Sequence, residues 1–263
     1  MHTWQPRAQL DEGFQKRGNR WFWGETETIR NDKGGVWPQA LFTSATERLA
    51  TLTFLGNLPL ALEREDVAVV HAAWQPASIE RLRASRAKGA AAAMAEFEEE
   101  VAVTIRRRGL DRTDRRDRDK IGLLQQNRNP VRTATSGPEG YAPRRFFASG
   151  RWRTLERIKW WDSEPPPPGR LVVVGHFWRR FMGDIRAGQQ NYTPSGPDMF
   201  AGYRPEELLG PGKGVMCIDF AVGVRWAERG KCLPEGALGT HLGALRLPER
   251  VLHLADGRVL KVS

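Results

Sequence analysis

Residues 67–71 read VAVVH and residues 171–176 read LVVVGH. Each is a short, Val-rich run that stops at a histidine. An apolar run of this length, without polar alternation, is the pattern of a strand buried in a sheet. The two runs constrain the fold more than any other feature. They predict an α/β domain in which His71 and His176 stand at the ends of neighbouring strands.

The rest of the chain is read around these strands. Ser44 and Glu47 stand at capping-box distance ahead of a helix over Ala45–Leu55. PLALE, the polar turn EREDV and VAVVH predict a short hairpin-like pair. A long helix rich in Ala, Glu and Arg is expected from Ala77 to Arg107, with Gly89 as its weak point. The stretch 121–140, punctuated by Asn129-Pro130 and Ser136-Gly137-Pro138, reads as a loop. The aromatic residues of 145–161 are expected to pack on the core. EPPPPGR at 164–170 is a stiff spacer feeding the strand at 171. GVMCIDFAVG at 214–223 reads as a buried strand. The C-terminal LGALRLPERVLHLADGRVLKV reads as a closing antiparallel hairpin, with Asp256-Gly257 as a tight turn.

A strand-end histidine faces the crevice beyond the carboxyl edge of the sheet, where open α/β sheets place ligands. Neutral imidazole there suits zinc, manganese or iron. Taken singly, such a histidine is more often a strand cap or a core residue; two from neighbouring strands can hold one face of a metal ion. His2, His241 and His253 have no such partner and are assigned to ordinary structural roles.

Charge and cysteine usage bear on partners and compartment. The formal net charge is +10, which attracts phosphate-bearing partners. The densest run, RRRGLDRTDRRDRDK at 106–120, interleaves four aspartates with its arginines, so it reads first as a solvated surface with local ion pairs. No stretch of eighteen apolar residues exists, so no membrane partner is expected. Two cysteines, Cys217 and Cys232, without a secretory leader, suit a reducing cytoplasm.

In order, the chain carries LPLALE, VAVVHAAW, NPVRTATSGPE, KWWDSE, VVVGHFWRR, GVMCIDFAVG and LGALRLPE. This series resembles the calcineurin-like metallophosphoesterases, in particular their bacterial serine/threonine-phosphatase-like branch near the diadenosine tetraphosphate hydrolases. The resemblance spans roughly residues 18–260. It implies part of a four-layer α/β sandwich, the C-terminal part, formed as a single domain over 1–263 that is N-terminally incomplete. A helix and loop insertion would span 77–165.

The resemblance also implies a site. His71 in VVHAAW and His176 in VVGHFW would bind the second ion of a two-metal centre (Mn, Fe or Zn). Arg179 and Arg180, just past His176, would meet phosphate oxygens. Asp219 in CIDF matches the family's late strand. The family's DxH, GDxxDRG and GNHE motifs are not found ahead of His71: RGNRWFWG at 17–24 has Arg20 in place of a histidine, and GDIRAG at 183–188 has Arg186 and lies after the GH motif. The expected function is therefore that of a metal-dependent phosphoesterase acting on a phosphoprotein or nucleotide, with a weakly held metal, little activity in this chain and no assigned catalytic residue. The alternative is a non-catalytic basic binding module. Nucleic acid is not expected, since no helix-turn-helix, zinc-finger or RRM signature occurs.

Overall fold

In the computed structural model, which describes residues 44–85, 89–148, 151–179, 199–225, 228 and 238–263, the two Val-rich runs are strands and lie side by side. The fold class is mixed α/β. The central sheet has four strands in the order β1 (Ala61–Glu63), β2 (Val67–Val70), β5 (Leu171–Val174), β6 (Val215–Cys217). β1 is antiparallel to β2 through the polar turn at 64–66, as the sequence predicts. β2, β5 and β6 run parallel. Their register pairs Val69 with Val173 and Val174 with Cys217, so the carboxyl ends of all three finish together.

Parallel strands need cover on both faces. On one face, Ala68, Val70, Val172, Val174, Val215 and Cys217 pack against helices. These are α2 (Pro76–Ser85), α3 (Gly89–Arg107) and α5 (Pro130–Ser136), with α6 (Trp160–Ser163) bringing Trp160 and Trp161 fully inside. On the other face, Leu171, Val173 and Met216 pack against Leu252, Leu254 and Val262. Leu252 and Leu254 belong to an antiparallel sheet of β7 (Gly243–Arg246), β8 (Val251–Leu254) and β9 (Val259–Lys261). β5 is buried at all four positions. Full burial of side chains of this kind is worth about 1.5–3 kcal/mol each.

Four expectations change. The helix over 77–107 is two helices, one ending at Ser85 and the next starting at Gly89, whose φ of +75° lies outside the right-handed helical region. The stretch 121–140 is not a loop. It holds α4 (Arg118–Asn127) and α5, and it runs on into a β3 (Glu139–Ala148)–β4 (Arg151–Arg157) hairpin. The dipeptides read as loop punctuation are helix signals. Asn129 caps α5 by accepting from the Val131 and Arg132 amides, Pro130 fills the first turn, and Gly137 at φ +74° ends it. The closing hairpin is a three-stranded meander, because a second reversal at 247–250 separates β7 from β8.

The aromatic residues of 145–161 divide. Phe146, Trp160 and Trp161 are buried, whereas Phe147 and Trp152 pack edge to face in the open. Two other expectations hold. α1 (Ala45–Asn57) starts with the full Ser44–Glu47 capping box. The arginine-rich run keeps its charges in the open, paired locally as Arg116–Asp114 and Lys120–Asp117. Among the described residues no helix is long and apolar enough to cross a membrane.

Candidate metal centre

The residue after β2 is His71, and the register places it opposite Gly175, whose amide donates to the His71 carbonyl at 3.0 Å. His176 follows. Its φ is +61°, a left-handed conformation unusual for a residue with a Cβ. The two imidazoles lie with ring centroids 5.2 Å apart, tilted by 60°. The third parallel strand ends close by: a Cβ on Gly175 would stand 3.7 Å from the Asp219 Cβ.

The surroundings hold this corner firmly. The Ala72 amide, next to His71, donates to the Ala134 carbonyl of α5 at 2.7 Å. Phe177, next to His176, packs so closely on Gly137 that a Cβ there would stand 2.5 Å from its ring. NPVRTATSG thus braces both histidine turns, a role that its loop-like reading hid. The usable signal was Asn-Pro at helix-start spacing with Gly seven residues on.

Burial lowers the His71 pKa, while the Asp219 charge opposes that shift. The imidazole is therefore neutral over a wider pH range than an ordinary histidine. Neutral imidazole is the form that ligates metals. Two imidazoles on one metal, with nitrogen–metal bonds of about 2.0–2.1 Å and a near-tetrahedral angle, have ring centres about 5 Å apart. The observed 5.2 Å agrees with that spacing. The donor set fits only in part. Asp219 Oδ1 accepts from the Ala221 amide at 3.0 Å. Among the described residues, no group of three or more His, Cys, Asp and Glu is arranged to hold a metal ion. Cys217 is buried at the end of β6; burial pushes its thiol up to about 12, so it supplies no thiolate.

Arg179 does not face this corner. It is 1% exposed. Its backbone amide donates to the Asp219 carbonyl at 2.9 Å. Its guanidinium turns inward, donating to the carbonyls of Arg204, Glu207 (3.1 Å) and Cys217 (3.5 Å), 5.5 Å from the Phe200 ring centre. A cation enclosed by backbone carbonyls is not presented to phosphate, in contrast to the phosphate-binding position expected for Arg179. Arg180, RGNRWFWG, GDIRAG, His2 and Cys232 lie outside the described residues. His241 is a core histidine: its Nε2 lies 2.9 Å from the Leu238 carbonyl and 3.1 Å from the Arg258 guanidinium.

No family model matches the chain, and no curated protein and no solved structure is significantly similar to it.

Proposed function

We propose that this chain is a metal-dependent phosphoesterase of the serine/threonine-phosphatase-like kind, with His71 and His176 as ligands of one divalent ion (Mn, Fe or Zn). The observation that carries the reading is the imidazole pair, 5.2 Å apart at the ends of adjacent parallel strands. The layers around β2 and β5, helices on one face and a small antiparallel sheet on the other, are consistent with an α/β sandwich of that kind. A bound divalent ion would acidify a water and neutralise phosphate oxygens. The chain's own contribution is positional: the Gly175 amide and the α5 contacts fix the His71 turn. Two imidazoles make a weak, open site, so residues 1–263 hold metal poorly and hydrolyse phosphate esters slowly or not at all. No catalytic step is derived from so incomplete a donor set.

Titration with Co²⁺ or Zn²⁺, followed by absorbance and calorimetry, tests the reading. A single weak site is expected, and His71→Ala and His176→Ala each abolish it. Metal binding that survives both substitutions refutes the assignment. Rapid Mn²⁺-dependent hydrolysis of an aryl phosphate, lost in His176→Ala, refutes the inactivity and means that another carboxylate completes the centre. The second reading, a non-catalytic basic module that recruits an acidic partner, draws on the net charge of +10. Salt-dependent polyanion binding indifferent to both histidines would favour it.

A further inference from the structure

We infer that the β3–β4 hairpin is a binding surface for single-stranded nucleic acid, with Trp152 and Phe147 as the platform for bases and the neighbouring arginines as the seat of phosphates. The inference stands apart from the metal centre and needs neither histidine. Register places Phe147 opposite Trp152. Their rings meet edge to face with centroids 5.8 Å apart, and both residues are more than half exposed. The Arg145 guanidinium lies 5.6 Å from the Trp152 ring centre. The other face of the hairpin is the covered one. A Cβ on Gly122 of α4 would stand 3.3 Å from Leu155 Cδ1, and Asn127 of α4 exchanges two hydrogen bonds with the Glu139 backbone. Side chains alternate along a strand, so Leu155 meets α4 and Trp152 is turned to solvent.

Charge is concentrated around these rings. Residues 106–120 carry eight basic and four acidic side chains, and residues 139–159 carry six and two, so these two segments hold eight of the ten net positive charges. They are neighbours in space, because the first runs into α4 and α4 packs on the hairpin. Three aspartates of the run are held by its own backbone. Asp111 accepts from the Thr113 amide at 2.7 Å, Asp114 from the Arg116 amide at 2.8 Å and Asp117 from the Asp111 amide at 3.1 Å. Arg112, Arg115, Arg118, Arg144 and Arg145 are exposed, and none of them pairs with a carboxylate among the described residues.

A guanidinium fork matches phosphate oxygens, and open aromatic rings take the π-face of any unpaired base. A duplex or an acidic peptide would use the arginines and leave the ring pair idle. An anionic lipid sheet would use the rings, but Glu156 shares the outward face of β4 with Trp152; a flat negative surface meets that carboxylate, whereas a flexible strand passes beside it. The expectation against nucleic acid rests on missing folded modules, and single-strand binding asks only for cations beside open rings.

Fluorescence anisotropy of the full chain with a labelled oligothymidylate of about fifteen nucleotides tests the inference. An abasic oligomer of the same length carries the same charge without bases, and should bind the wild-type chain at least about fivefold more weakly. Trp152→Ala should weaken oligothymidylate binding by about 5- to 150-fold and leave abasic binding unchanged, while Trp152→Phe, which keeps a ring, restores part of the loss. Arg144→Gln combined with Arg145→Gln should weaken both oligomers and make the slope of log affinity against log salt shallower by about 1–1.5. Equal affinity for the two oligomers overturns the inference, because charge alone then explains binding. Oligothymidylate binding that is indifferent to Trp152→Ala, or a preference for duplex, overturns it too. Binding to phosphatidylserine vesicles through Trp152 without oligothymidylate binding overturns it in favour of a membrane surface, and binding to none of these probes overturns it outright.

Discussion

Arg179→Ala separates a structural arginine from a phosphate-binding one. The wild-type guanidinium is fully enclosed and donates to three backbone carbonyls, those of Arg204, Glu207 and Cys217. Truncation removes the donor; the Arg204 carbonyl keeps the Glu207 amide at 3.0 Å, whereas the Glu207 and Cys217 carbonyls lose this partner. One buried acceptor without a partner costs about 1–3 kcal/mol. Partial relaxation and water entry keep the sum below the simple total, so a loss of about 3–4 kcal/mol is expected. A small domain has only about 5–15 kcal/mol of stability in all. With a urea slope of about 2 kcal/mol/M, the unfolding midpoint should fall by roughly 2 M. Arg179→Lys, whose compact ammonium does not match the guanidinium fork, should fall in between. An exposed arginine waiting for phosphate behaves differently: its removal changes stability by less than about 1 kcal/mol and weakens anion binding. Midpoints for Arg179→Ala within about 0.5 M of wild type would refute the inward placement.

Two further outcomes follow from local geometry. Gly137→Ala should cost about 2–4 kcal/mol by thermal or urea unfolding, because φ is +74° and the new Cβ meets the Phe177 ring; Phe177→Leu in the same chain should recover part of the loss, and an unperturbed Gly137→Ala refutes the packing of NPVRTATSG on the His176 turn. Burial lowers the His241 and His71 pKa values. The unfolded chain then binds more protons just below its ordinary histidine pKa of about 6.5, so stability must fall as pH drops through that value toward the folded pKa values. Urea midpoints should decrease between about pH 7 and pH 5, with a shallower decrease in His241→Asn; midpoints that stay level or rise on acidification would contradict the burial of His241.

How much was legible depended on how local the signal was. The Ser44–Glu47 box, the 64–66 turn, the two Val-rich strands and the Asp256-Gly257 turn are decided by residues adjacent in the chain, and the sequence shows each of them. The pairing of His71 with His176 spans a hundred residues of sequence and was reached only because both strands carry the same apolar-run-then-histidine phrase. Asn129-Pro130 and Gly137 misled because the residues that start and stop helices are also those of loops, and α5 is seven residues long, too short to show a clear period. Arg179 misled for a different reason. Nearness in sequence to His176 suggested a shared site, but the Asp219 carbonyl takes the Arg179 amide and sends the side chain into the core. The direction of a side chain after a turn is a property of the turn.

His176 makes the same point at the site itself. Its φ of +61° brings the ring back over His71, and a residue with a Cβ pays about 1–2 kcal/mol for that conformation. Such strain persists where the surroundings over-determine it, and it collects at functional sites. Comparing His176→Gly with His176→Ala isolates the strain, because both variants lack the imidazole and all its contacts. At an ordinary position glycine is the less stable of the two by about 0.5–1 kcal/mol, since its unfolded chain has more freedom to lose. At position 176 alanine keeps the left-handed penalty and glycine escapes it, so the order should invert, with His176→Gly the more stable by up to about 1 kcal/mol. Urea unfolding of the two variants, run in parallel, reads the difference directly. If His176→Gly is the less stable, the left-handed turn is not there, and the geometry that joins the two imidazoles falls with it. If the order inverts, the chain bears a strained histidine where glycine would sit more comfortably, the kind of strain that collects at functional sites.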